Sequence, residues 1–273
     1  MPILILLAGG AVVGAFGSLL GLGGGILIVP LLTLGFGMPI RDAVGISLVC
    51  VIMTSSASAA VYLERHVANL RLGVTLELAT AIGALCGAMV AFIVPERGLA
   101  GLFALMLVYA ALSMMRRRPD DRSPADASAV EDGRDEPASF PASALVGPGY
   151  RARRLGLGLV GSTFAGVVSA LLGVGGGIVK VPLMNVAMNV PLRVATGTSN
   201  LMIGVTAAAG AIVYLARGGI DPLVAAPTAI GVFAGASVGS RASRRIDARI
   251  LRGLFVVVMV YTAILMAIRA LGP

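Results

Sequence analysis

LGLGGGILIVP, at Leu20–Pro30, is written a second time as LGVGGGIVKVP at Leu172–Pro182, and the rest of the chain is organised around this pair. Each copy lies in an apolar run where a helix would otherwise continue. Three consecutive glycines there cost roughly 1 kcal/mol each in helix propensity. Pro30 and Pro182, which lack an N–H, add a second interruption. The pattern predicts a broken helix in both places. In lipid, broken backbone is tolerated only where protein buries it or where it lines a polar cavity.

Composition places the chain in a membrane. Of 273 residues, 58% are apolar and 12% charged, with no Trp, and the mean hydropathy is +0.97. Soluble domains carry about 25% charged residues. The net charge of +8 is no nucleic-acid footprint, because the basic residues sit between apolar runs instead of forming a basic surface interleaved with aromatics. Cys50 and Cys86 fall inside apolar runs without paired spacing, so they read as small buried residues and not as a disulfide or a metal site. Met1–Leu7 lacks the positive start of a signal peptide.

The chain divides into a first transmembrane repeat (1–115), a linker (116–154) and a second repeat (155–273). The linker, rich in Arg, Asp, Ser, Ala and Pro, has too little apolar content to build a core and reads as disordered. At a constant offset of 152 residues, Gly23, Gly24 and Gly25 match Gly175, Gly176 and Gly177. Pro30, Pro39, Arg41, Ser47, Thr54, Tyr62, Gly83, Arg97 and Tyr109 match Pro182, Pro191, Arg193, Ser199, Thr206, Tyr214, Gly235, Arg249 and Tyr261. Chance apolar similarity would not keep Pro, Arg and Tyr in step without a gap. The fold class predicted is an all-α integral membrane protein. Each repeat has three full spans, near Ala43–Leu63, Leu72–Val94 and Gly98–Met115 in the first, preceded by one Gly-broken segment, Ile3–Leu34. That segment would measure about 48 Å as continuous helix, long for one crossing and short for two. It is therefore re-entrant or doubly crossing.

Arginine placement argues for inverted repeats. With the Arg-rich linker in the cytoplasm, parallel repeats put Arg241, Arg244, Arg245, Arg249 and Arg252 on the opposite face, whereas inverted repeats bring them to the linker's side. Both termini then lie outside. Inverted repeats with matched Gly-interrupted segments are a transporter signature, and the interruptions point to the binding site.

The paired motifs GLGGGILIVPLL and GVGGGIVKVPLM, each followed by a Pro and Arg ahead of a Ser- or Thr-bearing span (PIRDAVGISL, PLRVATGTSN), resemble the TauE/SafE family, also called the sulfite exporter or toluenesulfonate uptake permease family. The likeness covers both repeats; the long linker is a departure from it. The resemblance implies secondary transport, by alternating access across a bacterial inner membrane, of small sulfur-containing anions: sulfite, or an organosulfonate such as sulfoacetate.

The residues add their own case for an anion. Half-helices beginning after Gly25 and Gly177 would aim free N–H groups and roughly half a positive charge at each break; the competing role for these glycines is close helix packing. Lys180 is the only lysine, three residues past Gly177, and its counterpart is Ile28. An ionisable group at membrane depth is a functional hypothesis, against which stands a lysine reaching for the interface. Asn185, Thr198 and Asn200 stand opposite Thr33, Ile46 and Leu48, and with Ser47 and Ser199 they offer hydrogen bonds to sulfonate oxygens. The substrate-binding set is thus Gly23, Gly24, Gly25, Ser47, Gly175, Gly176, Gly177, Lys180, Asn185, Thr198, Ser199 and Asn200, weighted to the second repeat. Glu77, opposite Ala229, is the candidate for a coupling ion (H+ or Na+), with an interfacial carboxylate near Arg71 as the plainer reading. His66 reads as a solvated loop residue, and Arg41 and Arg193 as anchors of span ends.

Enzyme motifs fail. GVGGGIVKV lacks the Gly before and the Ser or Thr after Lys180 that a phosphate-binding loop needs, and GLGGGI has Ile26 where a third dinucleotide-binding glycine belongs. No carboxylate pair or His/Cys cluster falls in the spans, so no catalytic residue, metal or cofactor is expected. The partners expected are a small anion, the lipid bilayer and a coupling ion; a homo-oligomer is compatible with this reading. The rival function is a passive anion channel or the membrane subunit of a larger complex.

Overall fold

Where the glycines stand, both apolar runs break. A computed structural model describes residues 2–20, 25–64, 69–116, 146–147, 150–152, 154–242 and 248–271. In the first repeat α1 (Pro2–Leu20) ends ahead of the triplet and α2 (Gly25–Pro30) starts on its last glycine. Beyond Pro30 the hydrogen-bond ladder widens into a π turn at Leu31–Gly35. Then follow α3 (Ile40–Glu64), α4 (Leu70–Ile93) and α5 (Glu96–Arg116). Most of the linker, 117–145, lies outside the described residues; its end carries a two-residue antiparallel pair, Val146 with Arg151 and Gly147 with Tyr150. The second repeat gives α6 (Leu155–Leu172), α7 (Gly177–Pro182) with its π turn at Leu183–Ala187, α8 (Leu192–Ala216), α9 (Pro222–Ala242) and α10 (Ala248–Leu271). Among the described residues seven helices are long and apolar enough to cross a membrane: α3, α4, α5, α6, α8, α9 and α10.

The broken segment, expected to be re-entrant or doubly crossing, has two limbs of unequal length. The first limb of the second broken segment, α6, is itself of spanning length, at 18 residues. The second limb is short and folds back beside the next helix: Gly25 lies against Ser47 and Val51 of α3, and Gly177 against Ser199 and Ile203 of α8. Proline placement explains the asymmetry, since Pro30 and Pro182 end regular α geometry at the sixth residue of α2 and α7, five after Gly25 and Gly177.

Packing follows the repeat. α3 packs on its equivalent α8 and α5 on its equivalent α10, while α1 packs on α9 and α6 on α4. The first two pairs run antiparallel: Ser55 donates to the Asn200 carbonyl while Leu48 meets Gly210, and Gly101 near the start of α5 lies by Ala270 at the end of α10. The other two run parallel, Leu7, Ala11 and Ala15 meeting Gly231, Gly235 and Gly239, and Thr163 and Val167 meeting Gly83 and Gly87. Glycines at four-residue spacing let these backbones touch, as in membrane helix pairs generally. A Cβ on Gly235 would collide with the Ala11 carbonyl, and one on Gly83 with that of Thr163.

The outer surface is apolar, with Leu78, Ile82, Met89 and Ile93 of α4 and Val257, Ile264 and Ile268 of α10 exposed. Such continuous apolar exposure suits lipid, not water. Cys50 is buried as expected, but Cys86 is exposed on α4 instead of buried; both are free thiols. Gly83→Val and Gly235→Val are each expected to cost about 1–3 kcal/mol by forcing tight backbones apart. Gly156→Ala, where nothing lies within 4 Å, should leave stability unchanged or slightly raised. Thermal unfolding in detergent checks the contrast.

Candidate functional site

A single hydroxyl ties the two breaks together. Ser47 of α3 donates its one proton to the Gly173 carbonyl at 2.7 Å, with the Gly25 carbonyl on the other side 3.1 Å away. This places the end of α6 against the start of α2, in the middle of the molecule. Gly25 must be glycine: a Cβ would lie 2.5 Å from the Gly173 carbonyl and 2.6 Å from Val51. On the other side, Gly173, Gly175 and Gly176 hold φ of 68°, 79° and 74°, a left-handed backbone that other residues rarely adopt.

The break before α7 differs from the first in carrying polar groups without partners. Ser199, which matches Ser47, is 1% exposed, and its Oγ has no hydrogen-bond partner. Ser169 of α6, at 0% exposure, is in the same condition. A Cβ on Gly177 would stand 3.5 Å from Ser199 Oγ, and one on Gly176 3.5 Å from Ser169 Oγ. Two unsatisfied hydroxyls therefore flank the start of the eleven-residue apolar helix Gly177–Ala187. The Asn200 side-chain amide and Ser162 Oγ are also buried and unpartnered. Buried polar groups are ordinarily satisfied, which sets the Ser169 and Ser199 hydroxyls at this break apart.

One turn further along α7, Lys180 is 1% exposed. Its ammonium donates to Glu77 Oε2 at 3.2 Å and to Thr206 Oγ1 at 2.6 Å. The Thr206 hydroxyl donates in turn to Glu77 Oε1 at 2.7 Å, with the Met202 carbonyl 3.0 Å away. Glu77 is 8% exposed. Three helices thus meet in one charge-balanced triad: α4 supplies the carboxylate, α7 the ammonium and α8 the hydroxyl. On α8, Ser199, Ile203 and Thr206 share a face at helical spacing, which joins the triad to the break.

Comparison with known proteins agrees with this architecture. The family model described as Sulfite exporter TauE/SafE matches residues 6–266. The chain belongs to the TauE/SafE family. A probable membrane transporter protein YunE of Bacillus subtilis is 26% identical over 91% of both chains. Another from that species, YdhB, is 27% identical over 88% of each, and the archaeal MJ0441 of Methanocaldococcus jannaschii is 28% identical over 79% of this chain and 72% of its own. No solved structure gives a significant match. Membership makes the chain a multi-pass membrane transporter and accords with the absence of enzyme motifs in its sequence.

Within this TauE/SafE chain the site residues anticipated from sequence separate into groups. Gly25, Ser47, Gly175, Gly176, Gly177, Lys180 and Ser199 do converge at or beside the breaks; Gly23 and Gly24 lie outside the described residues, as does His66. Asn185 does not join them. Its amide donates to the Val190 carbonyl at 2.9 Å, closing the turn after α7. The Thr198 hydroxyl accepts from the Asn69 N–H at 3.0 Å, at the entrance to α4. Glu77 is no interfacial carboxylate beside Arg71: burial brings it to Lys180, which itself is too deep to reach an interface. Arg41 anchors a helix end as expected, donating to the Val94 carbonyl at 2.6 Å.

Thr206 and Ser169 were missed. Thr206 was visible as the match of Thr54 and as the residue seven after Ser199; Ser169 stands opposite Gly17 and showed only as a hydroxyl in the run leading to the break. Removing one member of the buried pair should be severe. Glu77→Leu or Lys180→Met alone is expected to cost about 3–5 kcal/mol by stranding a charge, while the double variant costs less than either. A double-mutant cycle on unfolding in detergent reads the coupling.

Proposed function

We propose that this protein is a secondary carrier of small sulfur-containing oxyanions, an organosulfonate or sulfite, working by alternating access in a bacterial inner membrane. The observation that carries the reading is the break at Gly176–Gly177, where Ser169 and Ser199 hydroxyls stand buried and unpartnered beside the start of a helix. A tetrahedral oxyanion needs several hydrogen-bond donors, and these two hydroxyls are donors with nothing else to bind. Asn200 adds an amide donor, and the family description names a sulfite exporter. To the substrate we assign Gly175, Gly176, Gly177, Ser169, Ser199 and Asn200, with Gly25 and Ser47 closing the site from the first repeat.

The carrier reading draws on inverted repeats. Equivalent helices α3 and α8, and likewise α5 and α10, run antiparallel. A two-fold axis in the membrane plane relates elements in that way, whereas parallel repeats would align them. With basic residues inside, the linker is cytoplasmic and both termini are outside. In a chain freed of Cys50 and Cys86, cysteines placed at Pro39 and Pro191 should label from opposite sides of the membrane. Labelling from one side would overturn the inverted arrangement.

Counterflow in proteoliposomes tests the transport. Saturable exchange of labelled sulfoacetate or sulfite is expected, with Ser169→Ala and Ser199→Ala each weakening apparent affinity about tenfold, the worth of one hydrogen bond to a charged ligand. Flux linear in concentration would instead make the protein a passive channel.

A further inference from the structure

Most of the donors that face the Gly176–Gly177 break belong to the second repeat, and so does the one buried cation beside it. At the pseudo-symmetric site, the positions matching Lys180, Glu77, Ser169 and Asn200 are Ile28, Ala229, Gly17 and Leu48. Only Thr206, through Thr54, and Ser199, through Ser47, are kept. The scaffold does not require the ion pair, since the same fold closes without one in the other half. A buried pair is also a poor source of stability compared with apolar packing. Something other than folding therefore accounts for a Lys–Glu pair at membrane depth.

The geometry restricts what an anion can do there. Lys180 spends its charge on Glu77 at 3.2 Å, so an oxyanion entering beside it adds an uncompensated negative charge to a low-dielectric interior. Among the described residues of the helices packed on the pair, no other charge balances it. α6, packed along α4, carries no Asp, Glu, His, Lys or Arg between Leu155 and Leu172. On α8, Thr206 is the group that faces Glu77; the ionisable residues of that helix are Arg193, in its first turn, and Tyr214, whose hydroxyl donates to the Ala170 carbonyl. On α4 itself Arg71 and Cys86 lie six and nine residues from Glu77, and Cys86 faces outward. Glu77 is the one acidic group in contact with the ammonium.

We infer that Lys180, Glu77 and Thr206 form a proton-for-carboxylate exchange device that couples each monoanion to one proton. The inference rests on the carrier reading above. In the empty carrier the carboxylate occupies the ammonium. When the anion arrives, one proton from water bonds to a Glu77 oxygen, the neutral acid releases Lys180, and the anion takes the vacated place at the ammonium. No other bond forms or breaks, and the net charge of the site is zero before and after. Thr206, touching both partners, keeps the protonated acid hydrogen-bonded during the exchange. The same arithmetic selects charge: a monosulfonate or hydrogensulfite, with one negative charge, balances the site; sulfoacetate balances it with its carboxylate protonated, carrying a second proton; and sulfate, a dianion that takes up no further proton near neutral pH, does not.

The experiment uses the full chain in proteoliposomes with methanesulfonate as the probe, an internal pH indicator, and the membrane potential clamped by potassium and valinomycin. An inward methanesulfonate gradient is expected to carry protons with it, at a rate indifferent to the potential, with sulfate a poor competitor. Glu77→Gln, which imitates the protonated acid, should retain methanesulfonate exchange but lose net uptake about tenfold, together with proton movement, because the empty carrier can no longer neutralise Lys180. Should that variant fail to fold, the wild-type proton signal decides alone. Saturable exchange without proton movement, or movement of sodium in its place, overturns the coupling and leaves the carrier intact. Absence of any saturable exchange overturns the carrier reading and the coupling with it.

Discussion

A peptide group that loses its helical partner inside a bilayer finds no water to replace it, so any break in a membrane helix must be answered by protein. That requirement shapes this molecule twice. The broken ends at Gly25 and Gly173 are answered by one hydroxyl, Ser47, which can reach both carbonyls only if the two repeats interlock. α3 and α8, which bear Ser47 and Ser199, are drawn together in consequence, and each of the short helices α2 and α7 lies against its own partner of the two. The parallel contacts of α1 with α9 and α4 with α6 are the outer layer of the same arrangement, made close by glycines that let carbonyls of one helix approach the next.

Much of this was legible in the sequence, because its determinants are local. Three glycines and a proline interrupt a helix whatever surrounds them, and the offset between repeats is a property of the string. The spans predicted near 43–63 and 98–115 lie inside α3 and α5, and the one near 72–94 runs one residue past the end of α4; no helix boundary is more than three residues from the predicted one. What the string did not contain was the relative length of the two limbs of the broken segment. That depends on where Pro30 and Pro182 let the chain turn back, and on how far α2 and α7 can follow α3 and α8 before the π turns end them.

The site was legible as a collection of residues and not as a set of pairs. Lys180 and Glu77 are 103 residues apart, and no periodicity joins them; each could be flagged as out of place in lipid, but only the packing of α4 and α7 around α8 shows that they neutralise one another. Asn185 and Thr198 illustrate the converse. Both are polar residues in apolar surroundings, yet their hydrogen bonds go to the backbone at Val190 and Asn69. A sequence cannot separate a side chain that closes a turn from one left with nothing to bind, and that distinction is what sets Ser199 apart from its repeat mate Ser47.

The contrast between Ser47 and Ser199 carries the deeper point about internal symmetry. Duplication supplies two equivalent breaks, and two equivalent breaks would form two equivalent half-sites. Here one serine is consumed in holding the backbone together while its twin is left unpartnered, and the ionisable pair, with most of the surplus donors, sits on the unpartnered side. The repeat thus gives the scaffold two equivalent sets of helices packed antiparallel on one another. On the carrier reading proposed above, this asymmetry would put ligand chemistry at one break, so that a single site is offered alternately to two faces instead of two sites at once.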